Sequence, residues 1–223
     1  MIFHYATKTG PIESGGCSMT QKLALLGGTF DPVHIGHLCM AEWVQQSLDL
    51  DRVLFVPAAV PPHKAHMITP AAQRLEMLQL AIAGNPGFEI SQIELQREGP
   101  SYTLHTLQAM RQLLPVAELW WVIGLDSLLS LHSWYGYEQF PNYARLAVIP
   151  RPGALSLGAD LDSYLASRLP AFVGHLDWVE MPRLEIASSA IRARLTQGLS
   201  CRYLLPPPVW EYLLAQGLYG ARR

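Results

Sequence analysis

Short apolar runs and amphipathic stretches alternate along most of the chain. Residues 22–26 form an apolar run ending at Gly27-Gly28, which predicts a buried strand followed by a tight turn. Ala41, Val44 and Leu48 recur at helical spacing and predict an amphipathic helix over 37–48. Residues 53–56 predict the next strand, stopped by Pro57. Pro70 suits a first helical turn, and Leu75, Leu78 and Ile82 continue a stripe that ends near Gly84. Leu107, Met110 and Leu114 mark a third helix, ended by Pro115. The continuous apolar runs 119–123 and 145–149, closed by Gly124 and Pro150, have the pattern of strands buried on both faces. Residues 150–175 carry one weak helical stretch over 162–167, and 176–179 predict a further strand. A short helix starts at Ser188 and passes through Ile191 and Leu195, with Gly198 beyond its end. Three prolines at 206–208 open a last helix to Gln216, with Gly217 as its stop. This order predicts an α/β fold with a doubly wound parallel sheet, whose ligands sit beyond the carboxyl ends of the strands.

Composition narrows the class. Hydrophobic residues make up 50% of the 223 positions and charged residues 15%, so most of the chain can be buried. A formal net charge of −2 supplies no field for a nucleic acid, so phosphate binding must be local. Polar residues, Gly or Pro interrupt every apolar run before it could span a bilayer, and Cys17, Cys39 and Cys201 lie too far apart for a disulfide framework or a zinc knuckle. A soluble protein of a reducing, cytoplasmic compartment is expected, with homo-oligomerisation left open. Residues 1–20 lack the apolar core of a secretory signal and read as a disordered extension or an artefact of start-site choice before one domain over 21–223.

The chemistry concentrates in the turn after the first strand, GGTFDPVHIGH at 27–37. Gly27 and Gly28 remove Cβ atoms where the backbone is expected to turn and approach a ligand, and Pro32 fixes φ. The following helix offers free N–H groups and the positive end of its dipole to an anion. His34 and His37, three residues apart, place their rings on one side of the first turn, and together with the helix end they suit a phosphate. Taken singly, a Gly-Gly pair is a turn and a histidine at a helix start is a cap or packing residue; the combination is more specific. Neither GxGxxG nor GxxxxGK[ST] is present, which disfavours dinucleotide redox chemistry and P-loop hydrolysis.

His34-Ile35-Gly36-His37 resembles the HxGH signature of the nucleotidyltransferase superfamily. With GGTFDP in front, PPHK at 61–64, PSYTLHTL at 100–107, WVIGLDSLLSLHSWYGYE at 121–138 and LLPPPVWEYL at 204–213, the chain resembles the bacterial nicotinate-mononucleotide adenylyltransferases from about residue 22 to 219. The resemblance implies a Rossmann-like nucleotidyltransferase fold with a small C-terminal helical portion. It implies transfer of AMP from ATP to nicotinate mononucleotide, giving deamido-NAD and pyrophosphate. Mg²⁺ would be carried by the substrate phosphates rather than by protein side chains.

The resemblance also implies roles for single residues. The turn Gly27, Gly28, Thr29 and Phe30, with His34 and His37, would hold ATP. IASSAIR at 186–192 is similar to the family's phosphate loop, so Ser188, Ser189 and Arg192 would contact phosphates. Gly124 and Asp126 would meet the ATP ribose, although Asp126 is equally suited to cap the helix through Leu128 and Leu129. For the mononucleotide, Trp134 and Tyr135 would form an aromatic pocket, Thr103 would stand by the substrate carboxylate, and Lys64 and Arg151 would reach phosphates. On local grounds alone Trp134 is a core residue. A sister transferase with another phosphorylated acceptor, or a nucleotide sensor without turnover, are the remaining readings.

Overall fold

The computed structural model describes residues 20–60, 69–150, 161–182 and 184–222. The expected contacts Lys64 and Arg151, and residues 1–19 of the expected extension, lie outside the described residues.

Six strands form one sheet in the order β3-β2-β1-β4-β5-β6, each pairing parallel with its neighbours. In chain order the elements are β1 (Lys22–Gly28), α1 (Ile35–Ser47), β2 (Arg52–Pro57), α2 (Ala71–Ile82), β3 (Phe88–Ile90), α3 (Thr103–Leu113) and β4 (Glu118–Gly124). They continue with α4 (Leu125–Leu129), β5 (Arg145–Ile149), α5 (Leu161–Arg168), β6 (Leu176–Trp178), α6 (Ser188–Thr196) and α7 (Pro207–Ala215). The expected strands and helices are therefore present, in a doubly wound sheet. The strand absent from the sequence reading is β3, three residues long at the sheet edge and too short to show a period.

The unbroken apolar runs are explained by two cores, one on each face of the sheet. Ala24 and Leu26 of β1 pack with Ala41 and Val44 of α1, Met77 of α2, Ile191 of α6 and Val209 of α7. Leu23 and Leu25 face the other way, onto Leu107 of α3, Leu128 of α4 and Leu165 of α5. Side chains alternate across a strand, so a strand covered on both faces needs apolar residues throughout. On the outer half of the sheet, Asp177 of β6 accepts from Trp120 Nε1 of β4 at 2.8 Å and from Arg145 Nε of β5 at 2.7 Å, joining three strands through one carboxylate. The strand order reverses between β1 and β4, which pair through Leu25 and Trp121. The loops leaving Gly28 and Gly124 therefore border the crevice where such sheets bind ligands.

Candidate active site at the carboxyl edge of the sheet

Gly27 and Gly28 are the last residues of β1, not a turn, and neither has a left-handed backbone. The reason for glycine is packing. A Cβ on Gly27 would lie 2.5 Å from the Trp121 indole, and one on Gly28 would lie 3.0 Å from the Phe30 ring. The chain turns instead at Phe30, whose φ of 51° is left-handed. Its buried ring anchors that geometry, edge-on to His37 at 5.0 Å and beside Phe55 at 5.8 Å. After the cis Asp31–Pro32 peptide, His34 caps α1 with an extended backbone (φ −144°, ψ 169°).

The two histidines are brought together as expected. Their rings stack with centroids 3.7 Å apart and planes 23° from parallel. The His34 backbone N–H donates to His37 Nδ1 at 3.2 Å, which puts the proton of a neutral His37 on Nε2. His34 is 4% exposed, and its Nδ1 is buried without a hydrogen-bond partner. Burial pulls its pKa down to about 4, so the ring is neutral near pH 7. It therefore offers an N–H dipole rather than a positive charge. Gly36 is needed here because a Cβ would press to 3.1 Å on His34 Nδ1 and 3.5 Å on Ile186.

Ile186 leads into α6, whose start is bolted to the α1 loop. The Ser188 hydroxyl donates to the Pro32 carbonyl at 2.9 Å, so it is a strut between the two loops, whereas Ser189 is exposed. Arg192 donates to the Asp31 carbonyl at 2.6 Å and stands 3.7 Å from the Asp31 carboxylate, with a third of its side chain exposed. The first turns of α1 and α6 therefore meet at one point, combining two positive helix ends, two imidazoles and a guanidinium. The arrangement is suited to a polyphosphate.

Beneath this surface lies a polar group to which the sequence reading gave no part. Arg74 of α2 is 1% exposed and donates to the Thr29 carbonyl at 2.7 Å and the Thr69 carbonyl at 3.0 Å. Tyr219 donates to Asp31 Oδ1 at 2.7 Å and accepts from Thr69 Oγ1 at 3.1 Å. Burial and the neighbouring carboxylate raise the Tyr219 phenol far above its usual range, so it is a permanent donor. Asp31 could have been noticed, since it sits inside GGTFDP. Arg74 interrupts the apolar stripe of α2, and Tyr219 lies beyond the last predicted helix, so neither carried a periodic signal.

Across the crevice, Gly124 is the N-cap of α4 and Asp126 lies within its first turn, exposed. The N-cap position of α4 is Gly124 rather than Asp126. Of the expected mononucleotide residues, Thr103, Trp134 and Tyr135 are described. Thr103 is the first residue of α3, and the neighbouring Tyr102 ring lies 4.9 Å from that of Tyr135, with His105 at 5.4 Å from Tyr135. Gly136 (φ 62°) lets the chain pass against α3, since a Cβ there would lie 2.4 Å from Leu104 Cδ2. Tyr135 is 57% exposed, whereas Trp134 is partly buried against the second core, edge-on to Phe140 at 6.4 Å.

The chain is similar to known proteins in sequence and in fold. A cytidylyltransferase-like family model matches residues 25–194. A probable nicotinate-nucleotide adenylyltransferase of Thermomicrobium roseum is 44% identical over 199 residues, covering 89% of this chain and 91% of the relative. One from Thermus thermophilus is 42% identical over 198 residues, covering 89% and 99%. Among solved structures, the nicotinic acid mononucleotide adenylyltransferase of Plasmodium falciparum complexed with NaAD superposes with a TM-score of 0.72. It shares 18% identity over 90% of this chain and 98% of that one, a likeness of fold. The chain belongs to the nicotinate-nucleotide adenylyltransferase family, within the cytidylyltransferase-like proteins.

Proposed function

We propose that the protein transfers AMP from ATP to nicotinate mononucleotide, giving deamido-NAD and pyrophosphate. A phosphate oxygen of the mononucleotide attacks the α-phosphorus of ATP, and the bond from that phosphorus to the bridging oxygen of the β-phosphate breaks. The attacking oxygen is already ionised near neutral pH, so no general base is required. The protein has to align two polyanions and stabilise charge on the α-phosphate and the departing pyrophosphate. His34 and His37 serve as neutral N–H donors at the α1 terminus, and Arg192 supplies the fixed positive charge and the forked donors.

The donors around this point are anion-binding groups, and the nearby Asp31 carboxylate is engaged by Tyr219, with Arg192 3.7 Å away. That set suits Mg²⁺ arriving on the triphosphate rather than on protein carboxylates, where it would neutralise phosphate charge. Gly124 and Asp126 are assigned to the ribose, Ser189 to a phosphate, and Lys64 and Arg151 to the phosphates of the bound substrates. Tyr135 and Trp134 are assigned to the pyridine ring, and the start of α3 at Thr103 to its carboxylate. The same reading favours one catalytic domain working in the cytoplasm. Among the described residues no helix is long and apolar enough to cross a membrane.

The observation that carries the reading is the meeting of the α1 and α6 starts around His34, His37 and Arg192. Pyrophosphate release tests it, with ATP or CTP offered against nicotinate mononucleotide and its amide. The expected result is turnover with ATP and the acid, with the amide about tenfold or more poorer through loss of a charge-assisted contact. Turnover only with CTP or another phosphorylated acceptor would assign the chain to a sister activity. Nucleotide binding without turnover would make it a sensor.

A further inference from the structure

Tyr219 lies 188 residues after Asp31 in sequence, yet their side chains are joined at 2.7 Å. The tyrosine sits between Gly217 and Gly220 with a left-handed backbone, φ 56° and ψ 21°. A bulky residue keeps that conformation only where its surroundings over-determine it. The hydroxyl is what they hold: it accepts from Thr69 and donates to Asp31. Asp31 in turn is 3% exposed and faces Arg192, whose guanidinium is held on the Asp31 carbonyl while the carboxylate stays 3.7 Å away.

We propose that Tyr219 is a positioning residue for nucleotide binding, a C-terminal latch that occupies Asp31 and so keeps the Arg192 guanidinium available to phosphate. Phosphate and the Asp31 carboxylate compete for one cation. A buried carboxylate that loses a donor must find another, and Arg192, partly exposed and 3.7 Å away, is a donor within reach. With the phenol removed, the carboxylate closes the 3.7 Å gap and draws the guanidinium away from the converging helix ends. Arg74 is fixed in place by the Thr29 and Thr69 carbonyls, which hold its Nη1 and Nε.

The inference rests on the nucleotide part of the proposed function, and its test is a binding measurement that needs no acceptor. The dissociation constant of a non-hydrolysable ATP analogue with Mg²⁺ is measured by calorimetry on the full chain, in a cycle of Tyr219→Phe and Arg192→Gln. Tyr219→Phe keeps the ring and is expected to weaken binding about fivefold to tenfold. In the Arg192→Gln background the same change is expected to do nothing further, because the group through which it acts is gone. Affinity for nicotinate mononucleotide should be unaltered in both backgrounds. Unchanged nucleotide affinity in Tyr219→Phe, or an equal loss in both backgrounds, would overturn the latch and leave a tyrosine that only supports the fold. A wild-type protein that binds no ATP would overturn the nucleotide reading itself, which the single variant cannot do. Should Tyr219→Phe fold poorly, Asp31→Asn removes the competing carboxylate charge instead: nucleotide affinity no weaker than wild type is expected, and a loss would overturn the latch.

Discussion

His34 and His37 stack face to face at 3.7 Å, with the backbone N–H of the first held by Nδ1 of the second. Two imidazolium ions would repel at that distance, and the buried partner is held neutral. On the proposed reading, phosphate therefore meets oriented dipoles here, with the fixed charge on Arg192.

Because the pKa of His34 falls from 6.5 to about 4 on folding, the unfolded chain binds more protons between those values. Stability contributed by the neutral ring is complete above pH 6.5 and is lost as pH falls toward 4, a loss of ~3 kcal/mol at most. Urea unfolding at pH 7 and pH 4.5 should show a steeper decline for the wild type than for His34→Asn. Equal declines would mean that the ring is not desolvated.

His37→Ala should lower kcat about a hundredfold or more through lost stabilisation of developing charge, with a modest fall in thermal midpoint because the ring also accepts from the His34 backbone N–H. Full activity in a folded His37→Ala protein would remove it from the reaction.

Gly36→Ala places a methyl group 3.1 Å from His34 Nδ1, so the ring must shift by several tenths of an ångström. A roughly tenfold loss in kcat/KM for ATP is expected, with KM for the mononucleotide unaffected.

Tyr135→Ala should raise KM for nicotinate mononucleotide at constant stability, because the ring is 57% exposed. Trp134→Ala should raise the same constant and also lower the thermal midpoint, because Trp134 packs on the core. An effect of either change confined to ATP would mean that the pocket has been misplaced.

Hydrogen bonds from Arg145 and Trp120 outweigh the burial of Asp177 and hold its carboxyl below the usual range. Its contribution is present at pH above about 3.9 and is lost as pH falls through the lower folded value. Asp177→Asn should lower the melting temperature by about 2–5 °C without altering kinetics. No change in melting temperature would mean that the ion pair is screened.

The parallel, doubly wound sheet and the HxGH turn were legible because burial on both faces writes long apolar runs and because the turn chemistry is local. What stayed hidden depends on contacts between distant segments. Gly27 is glycine because of the Trp121 ring on β4, and Ser188 spends its hydroxyl on Pro32, neither of which spacing can reveal. Arg74 and Tyr219 are polar residues turned inward, where a periodic reading expects solvent or core. The short edge strand β3 is defined by its pairing with β2 rather than by any pattern of its own.

The most direct test is a crystal structure with a non-hydrolysable ATP analogue and Mg²⁺. The triphosphate should lie across the starts of α1 and α6, within hydrogen-bonding distance of His34, His37 and Arg192. A nucleotide bound away from that junction, with the two imidazoles still packed on each other and untouched, would contradict the account.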